Sequence, residues 1–368
     1  MTNLPALARR ATDEDFFIQH EPAYFETTKG VRTPGEASVH VTRSSIAIRF
    51  TPDASLDVGN AGYMEANGAI GAAGGGWIAP RVNDFGQTGS GERLFGAQEL
   101  VVGRADNIAA TRLVFAGTAW EGTTTIDGRA LAAAPLSGQV IHCHDARLSL
   151  AIDGACDARM IDILDRTATF VSGLDIELLR IDDVSAGGDI LRSRHNRGYR
   201  RVGRGPHDPF AGVASEHRMR AFAAIATAIP RLQAKGVPII AMINHMGSHN
   251  TVAEIDSSAC HPIAAVLSAA FHHVHGLTVG AGAASRRAEL AKLNQDIGLG
   301  LDDAGLDRWE KLRVEIMEGG FFHAPGYETG RPQKDIKFLR DLAHLTVFRL
   351  CGYSGPFYGS EGFATREV

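Results

Sequence analysis

The sequence predicts an α+β protein: a β-rich N-terminal part, folded as an antiparallel sheet or sandwich, followed by a mainly helical C-terminal part. Two observations and a break between them carry this. From Ser38 to Ile152, Gly, Pro, Asn and Asp cut the chain into short runs rich in β-branched residues. From Ser215 onward, apolar residues recur at three- and four-residue steps between helix-starting and helix-ending signals. A polar, glycine- and arginine-rich stretch separates the two patterns. The domains expected are a β-rich one over 1–184, a connector over 185–213 and a helical one over 214–368.

The strands expected, in order, are Ser38–Thr42, Ser45–Phe50, Glu99–Val102, Thr111–Phe115, Thr123–Ile126, Gln139–His142 and Arg147–Ile152. Each alternates or is β-branched, as a half-buried strand requires. Gly68–Gly76 has neither a Lys-Ser/Thr ending nor a preceding apolar strand, so it reads as a turn rather than a phosphate loop. Met160, Ile161, Ile163, Leu164 and Ala168 fall at helical spacing behind Asp157 as cap, and a strand is expected over Leu174–Ile181.

In the C-terminal part, Ser215 caps a helix running to Lys235, with Gly236 to end it and Pro230 near its last turn. Val237–Ile243 is the most strand-like run of this half. A helix then starts at Pro262, where the missing N–H is harmless, and runs to His275. Leu306, Trp309, Leu312 and Ile316 mark another over Asp302–Glu318, and Ile336, Leu339, Leu342 and Ala343 one over Asp335–Leu345. Phe348 and Leu350 suit a final buried strand.

Composition narrows the class. With 368 residues and 44% hydrophobic content, the chain can bury a core without metal or disulfide staples. A net charge of −5 gives no global attraction to nucleic acid or to an anionic membrane. No run approaches the ~18 apolar residues of a membrane span, and Arg9 and Arg10 are followed by acidic residues rather than a signal-peptide core. Four cysteines, Cys143, Cys156, Cys260 and Cys351, form no C-x-x-C pair. A cytoplasmic protein with free thiols is expected.

Chemistry is expected in the histidines. Eleven of fifteen lie from His195 onward, and His245, His249 and His261 fall in the single stretch Asn244–Pro262, read as a loop leaving the strand Val237–Ile243. His245 and His249 with Asp256 offer the nitrogen and oxygen donors that Zn²⁺ or Fe²⁺ prefers. Such an ion would bring the pKa of its bound water toward ~7 and so supply a nucleophile. His261, at the expected helix start, and Glu254 are the acid/base candidates, and Cys260 beside His261 would be biased toward thiolate there. His142 and His144, sharing one face of a strand, are a second possible metal pair, without the nearby Glu that a cupin-like site would add. His272, His273 and His275 spread around their helix and read as a solvated face.

Arg192 to Arg204 packs six arginines into thirteen residues, with Tyr199 among them. Arg197, Arg200 and Arg201 are the candidates for orienting an anionic group of a small substrate; the same segment would also serve a homo-oligomer contact. Finally, Val347–Gly355, with Cys351, Gly352 and Tyr353 at its centre, resembles the short signature around the radical glycine of glycyl-radical enzymes. That resemblance covers nine residues and implies a radical on Gly352 with a cysteine such as Cys260 abstracting hydrogen, but the chain is too short for the large barrel of those enzymes.

The function expected is therefore metal-dependent hydrolysis of a small anionic substrate. The alternatives are a non-haem iron oxygenase, a non-catalytic ligand-binding or assembly protein, and glycyl-radical chemistry at Gly352.

Overall fold

The computed structural model describes residues 3–9, 16–42, 45–54, 67–88, 91–136, 146–173, 176–195, 208–248, 255–276, 285–318, 331–359 and 364–368. The chain divides into two compact units. The first comprises Met1–Glu121, Arg129–Cys156 and Glu177–Tyr199; the second comprises Gly122–Gly128, Asp157–Ile176 and Arg200–Val368. The division is therefore not one cut at the connector: the chain enters the helical unit twice before residue 200, through a strand and through the helix capped by Asp157.

The first unit opens with a helix α1 (Leu4–Arg9), then β1 (Phe16–Thr27), β2 (Arg32–Val41), β3 (Ile46–Pro52), β4 (Gly68–Ala72), β5 (Ile78–Gln87) and β6 (Arg93–Ala97). These six strands pair antiparallel in the order β4-β1-β2-β3-β6-β5, and β5 pairs back onto β4, which closes a barrel and leaves no free edge among them. Alternation explains its interior. Ala37, Val39 and Val41 of β2 and Ile46, Ile48 and Phe50 of β3 point inward to meet Phe25, Ile70, Val82 and Phe95. The Phe25 and Phe95 rings stack with centroids 5.3 Å apart.

Closure also needs close backbone approach. A Cβ on Gly68 would stand 2.2 Å from the Glu26 carbonyl oxygen, so only glycine fits where β4 crosses β1. The glycine-rich stretch is thus the end strand and turn of a β-hairpin, in which Ala72 N–H donates to Trp77 O at 2.9 Å.

From β5, the sheet continues through β7 (Glu99–Val101) to five longer strands: β13 (Ile190–His195), β12 (Glu177–Val184), β8 (Ala110–Ala116), β11 (Arg147–Asp153) and β10 (Arg129–Pro135), all antiparallel. Leu4, Leu7 and Ala8 of α1 cover one end of one face, over Ala110, Ala132, Ala134, Ala151 and Val184. The strand expected over Gln139–His142 lies outside the described residues.

The second unit holds β9 (Gly122–Ile126), α2 (Ala158–Ser172), α3 (Ser215–Ala234), α4 (Ile239–Ser248), α5 (Ile255–His275), α6 (Arg286–Ile297), α7 (Asp303–Arg313) with a π-helical turn Val314–Glu318, α8 (Arg331–Cys351) and a small hairpin β14 (Pro356–Gly359), β15 (Ala364–Glu367). Caps set several boundaries: Asp157 accepts from Met160 N–H at 2.7 Å, Asp302 from Gly305 N–H at 2.8 Å, and Ser285 from Ala288 N–H at 3.2 Å. Helix α3 begins at Ser215, although its cap position is Ala214 and makes no side-chain bond.

Three local expectations fail for stated reasons. Val237–Ile243 is not a strand. Pro238 precedes α4, in which Ile239, Met242, Ile243 and Met246 are buried at helical spacing, so the run's β-branched content misled where its period did not. Helix α5 begins at Ile255 and carries Pro262 in its interior rather than its first turn. Phe348 is not in a strand but is the centre of an aromatic cluster on α8, with Phe170, Phe210, Tyr353 and Phe357 all within 5.7 Å between ring centroids.

Candidate functional site in the helical unit

Within the second unit, α5 packs against α4, α6 and α8. Burial of Met242, Ile243 and Met246 fixes the rotation of α4 and turns His245, in its last turn, toward α5. Arg166 of α2 holds the preceding residue by donating to Asn244 Oδ1. On α5, burial of Ile263, Ala265 and Val266 fixes the rotation that presents His261. The two half-buried imidazoles meet with Nδ1 atoms 3.4 Å apart, ring centroids 5.7 Å apart and planes inclined by 35°.

Burial holds the His261 imidazole below the usual histidine range, and proximity to His245 adds to the effect. The cause is not the one the sequence suggested. His261 is the seventh residue of α5, beyond the first turn where the helix dipole acts, and the same holds for half-buried Cys260. The loop expected between the histidines is largely helix: α4 reaches Ser248 and α5 starts at Ile255. Asp256 lies on α5 itself, five residues before His261. His249 and Glu254 lie outside the described residues, as do Arg197, Arg200, Arg201, His142 and His144. Among the described residues no group of three or more His, Cys, Asp or Glu side chains is placed to hold one ion.

The protein-family models, the curated proteins and the solved structures contain no match to this chain. No helix among the described residues is long and apolar enough to cross a membrane.

The remaining histidines of α5 do structural work. His273 Nε2 lies 2.8 Å from Asp296 Oδ2 and His275 Nε2 lies 2.9 Å from Glu289 Oε1, both acids on α6, while His272 Nδ1 lies 3.0 Å from Gly276 O. They are therefore not a solvated face. The buried stripe 263, 266, 270 drifts toward position 273, and Val274 is 38% exposed.

Near the C-terminus, Gly352 adopts φ +79° at the end of α8, with its N–H bonded to Arg349 O and Tyr353 N–H bonded to Phe348 O. This left-handed helix end requires glycine for conformational reasons. Cys351 beside it is buried, which pushes its thiol up to about 12.

Two arginines of the connector are described, both in β13: Arg192 pairs with Glu99, and Arg194 Nη2 lies 3.3 Å from Asp183. A cluster that sequence reasoning missed lies on the neighbouring strands. Asp182 accepts from Arg112 Nε at 3.2 Å, Arg112 Nη2 at 2.8 Å, Arg180 Nε at 3.0 Å and Ser193 Oγ at 2.8 Å. Its sequence signal was an arginine inside the otherwise apolar strand Thr111–Phe115, opposite a strand reading Arg180-Ile-Asp182.

Proposed function

We propose that His245 and His261 supply the nitrogen half of a divalent-metal site and that the protein is a metal-dependent hydrolase of small anionic substrates. The observation carrying this is the 3.4 Å between the two Nδ1 atoms. Two nitrogens each ~2.0–2.1 Å from one tetrahedral ion stand ~3.3–3.4 Å apart, so the pair fits Zn²⁺ or Fe²⁺ without rearrangement of either helix. The depressed proton affinity of His261 supports the reading, because a neutral imidazole presents the lone pair that a metal needs.

The segment between α4 and α5 carries His249 and Glu254, to which the proposal assigns the remaining donors. When bound, the ion would supply a water acidified toward neutral pH. The chain's own part is to hold two imidazoles at a fixed bite, with α4 anchored through Asn244 to Arg166, and to orient the substrate's anionic group through arginines of the connector. If the metal is Fe²⁺, the same nitrogen pair suits oxygenation instead.

The test is metal analysis of untagged protein never exposed to nickel, followed by hydrolysis assays on p-nitrophenyl phosphate and p-nitrophenyl acetate. Near-stoichiometric zinc or iron, lost in both His245→Ala and His261→Ala, is expected. A wild-type protein that takes up neither metal after dialysis against each defeats the reading and leaves a neutral histidine–histidine hydrogen bond.

A further inference from the structure

A second inference is independent of the metal site and concerns the first unit. On one face of the strands that continue beyond its barrel, Arg112, Asp182 and Ser193 stand in register across β8, β12 and β13, and the next row across the same strands places Val114, Arg180 and His195 side by side. Ser149 of β11 extends that row opposite Val114. The side chains of Arg112, Arg180 and Asp182 are 3%, 4% and 0% exposed.

Among the described residues, charge does not balance here. Two guanidinium groups share one carboxylate, and Asp182 Oδ2 alone receives three of their N–H groups. The next acid along β12, Asp183, belongs to the opposite face, where it accepts from Thr111 and from Arg194. Arg180 donates one of its five N–H groups to Asp182, and no other described residue accepts from it. Guanidinium keeps its charge inside proteins, and an uncompensated buried charge is costly unless something pairs with it. Beside it, Ser149 Oγ is fully buried and has no hydrogen-bond partner among the described residues.

We propose that this face of β11, β8, β12 and β13 binds an oxyanion, the phosphoryl or carboxylate group of a small molecule, through Arg180 and Arg112, with Ser149 as a further donor. The ligand class follows from the geometry of the donors. A planar guanidinium with Nε already engaged still offers N–H groups from both terminal nitrogens, which suits a group presenting at least two oxygens. Asp182 then acts as a positioning residue that orients both guanidinium groups from the opposite side. α1 packs on the alanine-lined end of this face, at Ala110, Ala132, Ala151 and Val184, and the arginine row lies beyond that cluster.

The experiment titrates full-length wild type with potassium phosphate and with potassium acetate against potassium chloride at matched ionic strength, read by calorimetry and by thermal denaturation. Saturable binding of phosphate or of acetate, with a rise in melting temperature that chloride does not give, is expected, and the preferred anion names the ligand class. Arg180→Met should weaken that binding ~10-fold or more, and Ser149→Ala by a few-fold, in protein whose circular dichroism is unchanged. Should Arg180→Met fail to fold, Arg180→Lys, which keeps the charge but loses the planar fork, should fold and still lose affinity. Wild type that binds neither anion overturns the proposal.

Discussion

Replacing Asp182 by Asn tests how the first unit holds charge in its interior. The carboxylate is completely buried and receives four hydrogen bonds of 2.8–3.2 Å, three of them from guanidinium groups. Burial alone would raise its pKa, yet the opposing pull of Arg180 and Arg112, with hydrogen bonds from Arg112 and Ser193, leaves it lowered. The amide keeps the shape and removes the charge, leaving two buried guanidinium groups uncompensated; breaking a buried ion pair in this way costs about 3–5 kcal/mol.

The assay is urea unfolding in a Trp309→Phe background. Trp77 and Trp120 belong to the first unit and Trp309 to the second, so the remaining fluorescence reports the unit that contains Asp182. The pH dependence has a definite sign. A carboxylate depressed in the folded state contributes its full stability above the unfolded value of ~3.9 and loses it as pH falls through the lower folded value, so wild type should lose this contribution only below about pH 4, and Asp182→Asn should show no such acid limb. A loss under ~1 kcal/mol at neutral pH, or an acid limb shared by both proteins, would refute the electrostatic account.

Two further outcomes follow from backbone geometry. Gly68→Ala should destabilise the barrel by about 2–3 kcal/mol, since the new methyl meets the Glu26 carbonyl, whereas Gly74→Ala, with nothing within 4 Å, should be nearly neutral; chemical denaturation of both variants compares them. Gly352→Ala should cost ~1 kcal/mol and Gly352→Asn clearly less, because Asn tolerates the left-handed end of α8. Activity that vanishes in both variants while stability holds would instead revive the radical role suggested by the short resemblance around Cys351.

Much of the architecture was legible because it is local. Alternation in Ser38–Thr42 and Ser45–Phe50 maps onto β2 and β3, and the three-four spacing of Leu306, Trp309 and Leu312 maps onto α7, which Asp302 caps. Val237–Ile243 carries two conflicting local signals: its β-branched composition suits a strand, whereas the spacing of its apolar residues suits the helix that forms. The candidate site was half legible. His245 and His261 were both singled out, but as members of one loop with separate roles, whereas the protein brings them together from two helices.

Sequence by itself determined the class of this protein, β-rich and then helical, and most of the residues that face inward, because periodicity and capping are properties of a few neighbouring residues. Only tertiary structure decided that β5 returns to β4 to close a barrel, that His261 meets His245 from a second helix, and that Arg112 and Arg180 converge on one carboxylate. Each of those depends on strand register or helix rotation, which are set by the packing of segments remote in the chain and have no signature in any local window.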